Sequence, residues 1–152
     1  MIKYKDIHIR LMETDDYEQV YSLWQSCSGM GLNNLDDSKE GIERFLNRNP
    51  DTCFVAETSN KIIGVILAGN DGRRGYIYHA AVSPDYQNRG VGKQLVNRAV
   101  DALSQIGINK VALVVFGKNT SGNAFWKRLG FTERNDLIYR NKTLNAFERM
   151  DT

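Results

Sequence analysis

The sequence predicts one α/β (α+β) domain over residues 1–152, a mixed β-sheet flanked by helices in the order β-α-α-β-β-β-α-β-α-β, with a further strand candidate at the end. Three observations predict it. Two strand-like runs, Cys53–Ala56 and Lys61–Ala68, are separated by the hairpin signal Thr58-Ser59-Asn60, and Tyr76–Val82 follows after the turn Gly69–Gly75, so three strands form an antiparallel meander. From Gly90 to Ile106 the apolar residues Val91, Leu95, Val96, Ala99, Ala102 and Leu103 recur at helical spacing, and Gly107 ends the element. Lys110–Phe116 is then almost continuously apolar, the pattern of a strand buried on both faces in the middle of a sheet.

The remaining elements follow in chain order. Ile7, Ile9 and Leu11 alternate with His8, Arg10 and Met12, a period of two that predicts a first strand with one buried face. Thr14-Asp15-Asp16 supplies caps and N-terminal negative charge for a helix with Val20, Leu23 and Trp24 on one stripe. The polar, Gly-rich Ser26–Asn34 is a loop and a candidate substrate lip, and a second helix begins near Asp37-Ser38 and stops by Asn49-Pro50. After the apolar strand, Gly117-Lys118-Asn119 leads into a helix bearing Ala124, Phe125, Trp126 and Leu129, with Gly130 just past its end. Phe131–Tyr139 and Thr143–Arg149 are the closing strand candidates.

Composition narrows the function. Twenty Lys and Arg against eighteen Asp and Glu give a formal charge of +2, and the basic residues form no run, which argues against a nucleic-acid partner. Cys27 and Cys53 stand apart with neither CxxC spacing nor a nearby His, so no metal site and no disulfide are expected, and reduced thiols fit a cytoplasmic protein. Met1–Asp6 carries no apolar h-region and no run of about 20 apolar residues follows, so neither export nor membrane insertion is expected. Whether an edge strand pairs into a homodimer is left open by the sequence.

The chemistry concentrates in Gln87-Asn88-Arg89-Gly90-Val91-Gly92, a turn between the C-terminal end of a strand and the N-terminus of a helix. Anions bind at such places, because the first helical N–H groups lack intrahelical partners and the dipole adds about half a positive charge. Gly90 and Gly92 let phosphate oxygens approach the main chain, and Arg89 and Lys93 add side-chain charge. Two common glycine motifs fail here. A Walker A loop needs Ser or Thr where Gln94 stands, and the dinucleotide fingerprint needs a third glycine where Leu95 stands, after a parallel rather than a hairpin start. The pattern Gln/Arg-x-x-Gly-x-Gly/Ala after a strand is met in full.

That segment, Ala80 through Leu95, resembles motif A of GNAT-superfamily acetyltransferases. The likeness extends over nearly the whole chain: Ile9-Arg10-Leu11 with Thr14-Asp15-Asp16 is similar to the family's first strand and helix, and Asn119–Phe131 resembles its motif B. The Asp71-Gly72-Arg73-Arg74-Gly75 turn is similar to a bacterial branch whose members often lack an assigned substrate. The resemblance implies a centrally splayed sheet and acetyl-CoA as cosubstrate, with no metal. It implies that the main chain of Ala80, Ala81 and Val82 pairs with the pantetheine arm, that Gln87 and Asn88 through Lys93 cradle the pyrophosphate, and that Asn119 contacts the arm. The other partner is an amine acceptor, whether small molecule, peptide N-terminus or lysine side chain, attacked directly in a ternary complex.

The catalytic positions depart from the family pattern. The motif B tyrosine that protonates the departing sulfur in much of the family is Trp126, which has no acid of that kind and serves as a site wall. The central-strand glutamate of one branch falls at Val114, and a glutamate on the preceding strand falls at Tyr76. Strict alternation puts Tyr76 and Tyr78 on one strand face with Ala80 and Val82, so Tyr78 is the first candidate for proton donor and Tyr76 the second. His79 alternates to the opposite face unless a bulge intervenes. A non-catalytic acetyl-CoA-binding module is the alternative these departures leave open.

Overall fold

The structure, a computed structural model, describes residues 6–150. Met1–Lys5, where an export signal would stand, lie outside it, as do Asp151 and Thr152. The elements are β1 (His8–Leu11), a 3-10 turn (Thr14–Asp16), α1 (Tyr17–Ser26), β2 (Leu32–Asn33), α2 (Lys39–Arg48), β3 (Phe54–Thr58), β4 (Lys61–Asn70) and β5 (Gly75–Val82). A second 3-10 turn (Pro84–Tyr86) precedes α3 (Val91–Gln105), β6 (Val111–Ala112), α4 (Thr120–Arg128) and β7 (Arg149–Met150). Five strands form a mixed sheet in the order β1-β3-β4-β5-β6, antiparallel except for the parallel β5–β6 pair, and β2 pairs with β7 apart from it.

Local chemistry accounts for the boundaries. Ser38 caps α2, its Oγ accepting the Gly41 N–H at 3.0 Å. Ser59 and Asn60 both have positive φ, 50° and 62°, as a two-residue hairpin turn between β3 and β4 demands. Arg10 on β1 clamps Asp16 with two hydrogen bonds of 2.8 Å and reaches Glu57 on β3 at 3.2 Å, tying the first strand to the entry of α1. Burial alone would raise the Asp16 carboxyl, but the Arg10 hydrogen bonds, the Glu13 N–H and the Arg10 charge together outweigh it and hold the group below its ordinary range.

The sheet divides two cores. On one face α1 and α2 bury Val20, Leu23, Trp24, Ile42 and Leu46 against Val55, Val65, Leu67 and Ala81. On the other, α3 buries Val91, Leu95, Val96, Ala99 and Leu103 against Phe54, Ala56, Ile63, Ile66 and Ile77. The close seat of α3 depends on Gly64, where a Cβ would lie 2.9 Å from Leu95 Cδ1.

Three expectations are corrected. Lys110–Phe116 is not a central strand: only Val111 and Ala112 pair, at the edge of the sheet, and Val114 and Phe116 are exposed. Phe131–Tyr139 forms no ladder, and of Thr143–Arg149 only Arg149 enters one, through β7. The physical reason is shared, since β-prone residues become a strand only beside an edge to pair with, and β6 stops too early to offer one. Leu11 is also exposed rather than buried; Met12 turns into the α1 core in its place.

Candidate active site

The turn after β5 is shaped by two left-handed residues, Asn88 (φ 61°) and Gly90 (φ 82°), the kind of turn in which main-chain N–H groups can line a concavity. Gln94 is the first residue whose N–H enters the α3 ladder, bonding Gly90 O at 3.1 Å, so the N–H groups of Val91, Gly92 and Lys93 precede it. Among the described residues a Cβ on Gly90 would meet no heavy atom within 4 Å, whereas one on Gly92 would lie 3.2 Å from Phe125 Cζ. The helix start is thus open at Gly90 and roofed by α4 at Gly92. This backbone concavity, with Lys93 beside it, fits a diphosphate.

A cavity of about 790 Å³ runs from this turn along β5 to α4. Ala80, Ala81, Val82, Gln87, Asn88, Gly90, Val91, Gly92, Lys93, Asn119 and Trp126 all line it. Arg89 does not; its guanidinium sits over the Tyr86 ring, 5.5 Å from the centroid. The Asn119 side chain caps α4, accepting the Gly122 N–H at 2.9 Å. Trp126 stacks edge-on between Phe125 and Phe131, each 5.0 Å away.

The sheet opens beside this cavity. β5 and β6 share only two register pairs, Gly75 with Val111 and Tyr76 with Ala112, and then part. Ser83 N–H bonds Ile63 O at 2.8 Å, and the antiparallel alternation that follows from it turns the main-chain groups of Ala80 and Val82 away from β4, toward the opening. The splay lies between the last two strands rather than at the centre of the sheet.

On β5 a bulge overturns the expected facing. Leu67 pairs with His79 but Ala68 pairs with Ile77, so Tyr78 is an extra residue outside the register. Ile77 and Val82 pack with the α3 core, whereas Tyr78 meets Phe45 of α2 (ring centroids 5.5 Å apart, 83°) and His79 meets Trp24 of α1 (5.0 Å, 67°). Tyr76 stacks on Tyr78 at 4.6 Å. Tyr76 and Tyr78 therefore do not share a face with Val82, and neither lines the cavity described above. Burial first, then the nearby Tyr139, push both phenols above their ordinary value. A second cavity, of about 650 Å³, lies on the α2 side and is lined by Asp36, Glu40, Arg44, Tyr139, Lys142 and Phe147 among others.

Sequence reasoning missed Asp37. Its buried carboxylate accepts the Asn33 N–H at 2.8 Å on Oδ2 and meets His79 Nε2 at 2.7 Å on Oδ1. The only signal was its place before a helix, which reads as a cap.

The family model for the acetyltransferase (GNAT) family matches residues 17–131. The chain belongs to this family. It is a GNAT enzyme, an acyl-CoA-dependent N-acetyltransferase, and its mixed sheet with flanking helices is the GNAT fold. An acetyltransferase of Sodalis glossinidius is 34% identical over 138 residues, covering 91% of this chain and 96% of that one. An acetyltransferase of Pectobacterium atrosepticum is 35% identical over the same shares. Among solved structures this GNAT chain is similar to Ard1 from Thermoplasma volcanium, with a TM-score of 0.75 at 21% identity over 84% of this chain and 83% of that one. It is similar also to the PaiA N-acetyltransferase of Thermoplasma acidophilum in complex with coenzyme A, with a TM-score of 0.73 at 20% identity, covering 83% and 89%. No helix among the described residues of the GNAT chain is long and apolar enough to cross a membrane.

Proposed function

We propose that the enzyme binds acetyl-CoA in the cavity between β5, α3 and α4 and accepts an amine on the α2 side of β5, so that transfer occurs directly across the opening between β5 and β6. The observation that carries this reading is the convergence of every expected cofactor residue except Arg89 on one cavity. The structural relative solved with coenzyme A supports the same choice of ligand.

Each part of the chain has a definable task. The N–H groups of Val91, Gly92 and Lys93, with the Lys93 charge, hold the diphosphate, and the outward main chain of Ala80 and Val82 hydrogen-bonds the pantetheine arm as an added strand would. Arg89, held over Tyr86, contributes charge from the rim. Bound acetyl-CoA supplies the thioester, whose carbonyl carbon is the electrophile and whose sulfur is the leaving group. A backbone N–H near Val82 polarises the carbonyl. Tyr78, with its proton held firmly by its raised pKa, is a donor and an organiser of water rather than a base, and water supplies the base for the amine. Tyr76 backs its ring. Trp126 walls the cofactor side. Cys27 and Cys53 are both free thiols, which supports a cytoplasmic setting.

Calorimetric titration with acetyl-CoA, followed by thiol release in the presence of an amine panel, tests the proposal. Saturable binding with amine-dependent release is expected. Binding without release under any amine favours the non-catalytic module, and no binding removes the reading altogether.

A further inference from the structure

We propose that His79 and Asp37 form a positioning pair for the acceptor wall: by tying the Asn33–Ser38 loop to the bulge of β5, they fix how Tyr78 is presented to the amine.

The tie is built from buried groups. The side chains of His79 and Asp37 are 11% and 5% exposed, and their 2.7 Å contact joins residues 42 apart in the chain. The other carboxylate oxygen is taken by the Asn33 N–H, and the Asp37 carbonyl accepts the Tyr17 hydroxyl at 2.7 Å. A buried carboxylate with both oxygens used cannot swing away without leaving partners unpaired, and so the loop is held at a fixed height above β5.

The tautomer follows from the same contacts. His79 Nδ1 is buried and has no partner among the described residues. A hydrogen there would be an unsatisfied buried donor, so Nε2 carries the hydrogen, donates it to Asp37, and leaves Nδ1 bare. Shielded in this way, the ring does not exchange protons with substrate. It positions its neighbour.

That neighbour needs positioning. Tyr78 is the extra residue of the bulge, so no register pair with β4 fixes it. Its surroundings are Tyr76 on its own strand, Phe45 on α2, Tyr139 in the C-terminal segment, Asp36 on the tied loop and Asp71 in the β4–β5 turn. Burial first, then Tyr139, raise the Tyr78 phenol, and the charge of Asp36, which precedes Asp37, adds to them. The distance between Asp36 and Tyr78 is therefore set through the tie. The catalytic consequence rests on Tyr78 belonging to the transfer site as proposed above, but the positional coupling itself is read without turnover.

The experiment compares wild type, His79→Phe, which keeps a ring against Trp24 but removes the donor, and His79→Gln, which keeps a side-chain N–H for Asp37. Tyr78 is titrated by tyrosinate absorbance, taken as the difference from the same chain carrying Tyr78→Phe. Amide exchange over residues 33–38 and 76–80 and acetyl-CoA affinity by calorimetry accompany it. In His79→Phe the Tyr78 titration is expected to fall toward the ordinary tyrosine value of about 10. Exchange in the two segments is expected to quicken about tenfold, with affinity unchanged. His79→Gln is expected to restore both. A Tyr78 titration that does not move in His79→Phe overturns the proposal, as does protection lost over the whole chain without rescue by His79→Gln. Wild type alone gives an independent check by nitrogen NMR of the two histidines, with exposed His8 as internal reference. A His79 ring with Nδ1 bare at pH 7 supports the pair as described, and one protonated on both nitrogens overturns it.

Discussion

The ring of Phe125 occupies the place a side chain at Gly92 would need: a Cβ there would lie 3.2 Å from Cζ and 3.4 Å from Cε2. Any Cβ at position 92 obliges Phe125, and α4 with it, to give way by a few tenths of an ångström. Gly92→Val is therefore expected to push α4 outward, lowering stability by about 1–3 kcal/mol through overpacking. Acetyl-CoA affinity should fall with it. Denaturant unfolding and calorimetry measure the two, and an unchanged affinity would separate the roof of the turn from ligand binding.

At Gly90 the demand is conformational instead of steric, since φ is 82° and no described residue stands within 4 Å of a Cβ there. Gly90→Val is expected to cost about 1–2 kcal/mol, the left-handed penalty for a residue with a Cβ. Gly90→Asn should cost less, because asparagine tolerates this region. Acetyl-CoA affinity should follow the same rank, and an equal response to both substitutions would refute the assignment of strain.

For Tyr78→Phe, amine acetylation is expected to drop about a hundredfold, the ordinary scale of a lost acid–base group, while acetyl-CoA affinity stays the same. The Tyr78 phenol titrates higher folded than unfolded. Its stabilising contribution is present below the unfolded value of about 10 and is lost as pH rises through the folded value, so the variant should lose less stability in that alkaline window. Turnover preserved between pH 6 and 9 would withdraw the proton-donor role.

Asp16 gives the opposite sign. Its carboxyl is held low in the fold, so its contribution is present above the unfolded value of about 3.9 and is lost as pH falls through the folded one. Asp16→Asn is expected to cost about 1–3 kcal/mol at neutral pH by breaking the Arg10 clamp. It should also flatten the acid limb of a stability–pH curve obtained by urea unfolding.

Trp126 stands where a phenol serves in much of the family, wedged between Phe125 and Phe131. Trp126→Tyr keeps an aromatic ring in that stack and adds an ionisable hydroxyl. Higher turnover in the variant is the expected outcome, with a second alkaline dependence added to the one Tyr78 gives wild type. Lower turnover would mean that the indole itself shapes the site.

Much of this was legible in the residues because it is encoded locally. Ser38 before an amphipathic run, Ser59-Asn60 between two β-prone runs, and the glycines at 90, 107 and 130 each state their backbone conformation directly, and all five adopt it. The convergence of Ala80–Val82, Gln87, Asn88, Gly90–Lys93 and Asn119 on one cavity was legible too, through a linear pattern, while Arg89 stays outside it. What the residues could not state depends on partners distant in sequence. The apolar run after Lys110 resembled a central strand, yet among the described residues β6 has no neighbour on its far side. Alternation along Tyr76–Val82 gave no warning of the bulge, since an extra residue is defined by the β4 strand opposite it. Asp37 looked like a cap because nothing in its own neighbourhood names His79.

The bulge also makes Tyr78 a separable part of the strand. Ile77 faces α3 and His79 faces α1, as adjacent residues of an unbroken strand would, and their partners Ala68 and Leu67 are consecutive on β4. A chain lacking Tyr78 alone would therefore close the register, keep Val82 on the α3 side and Ala81 on the α1 side, and lose only the ring that meets Phe45. One inserted residue carries the acceptor-side phenol, while the part of β5 that lines the cofactor cavity is built by the regular ladder around it.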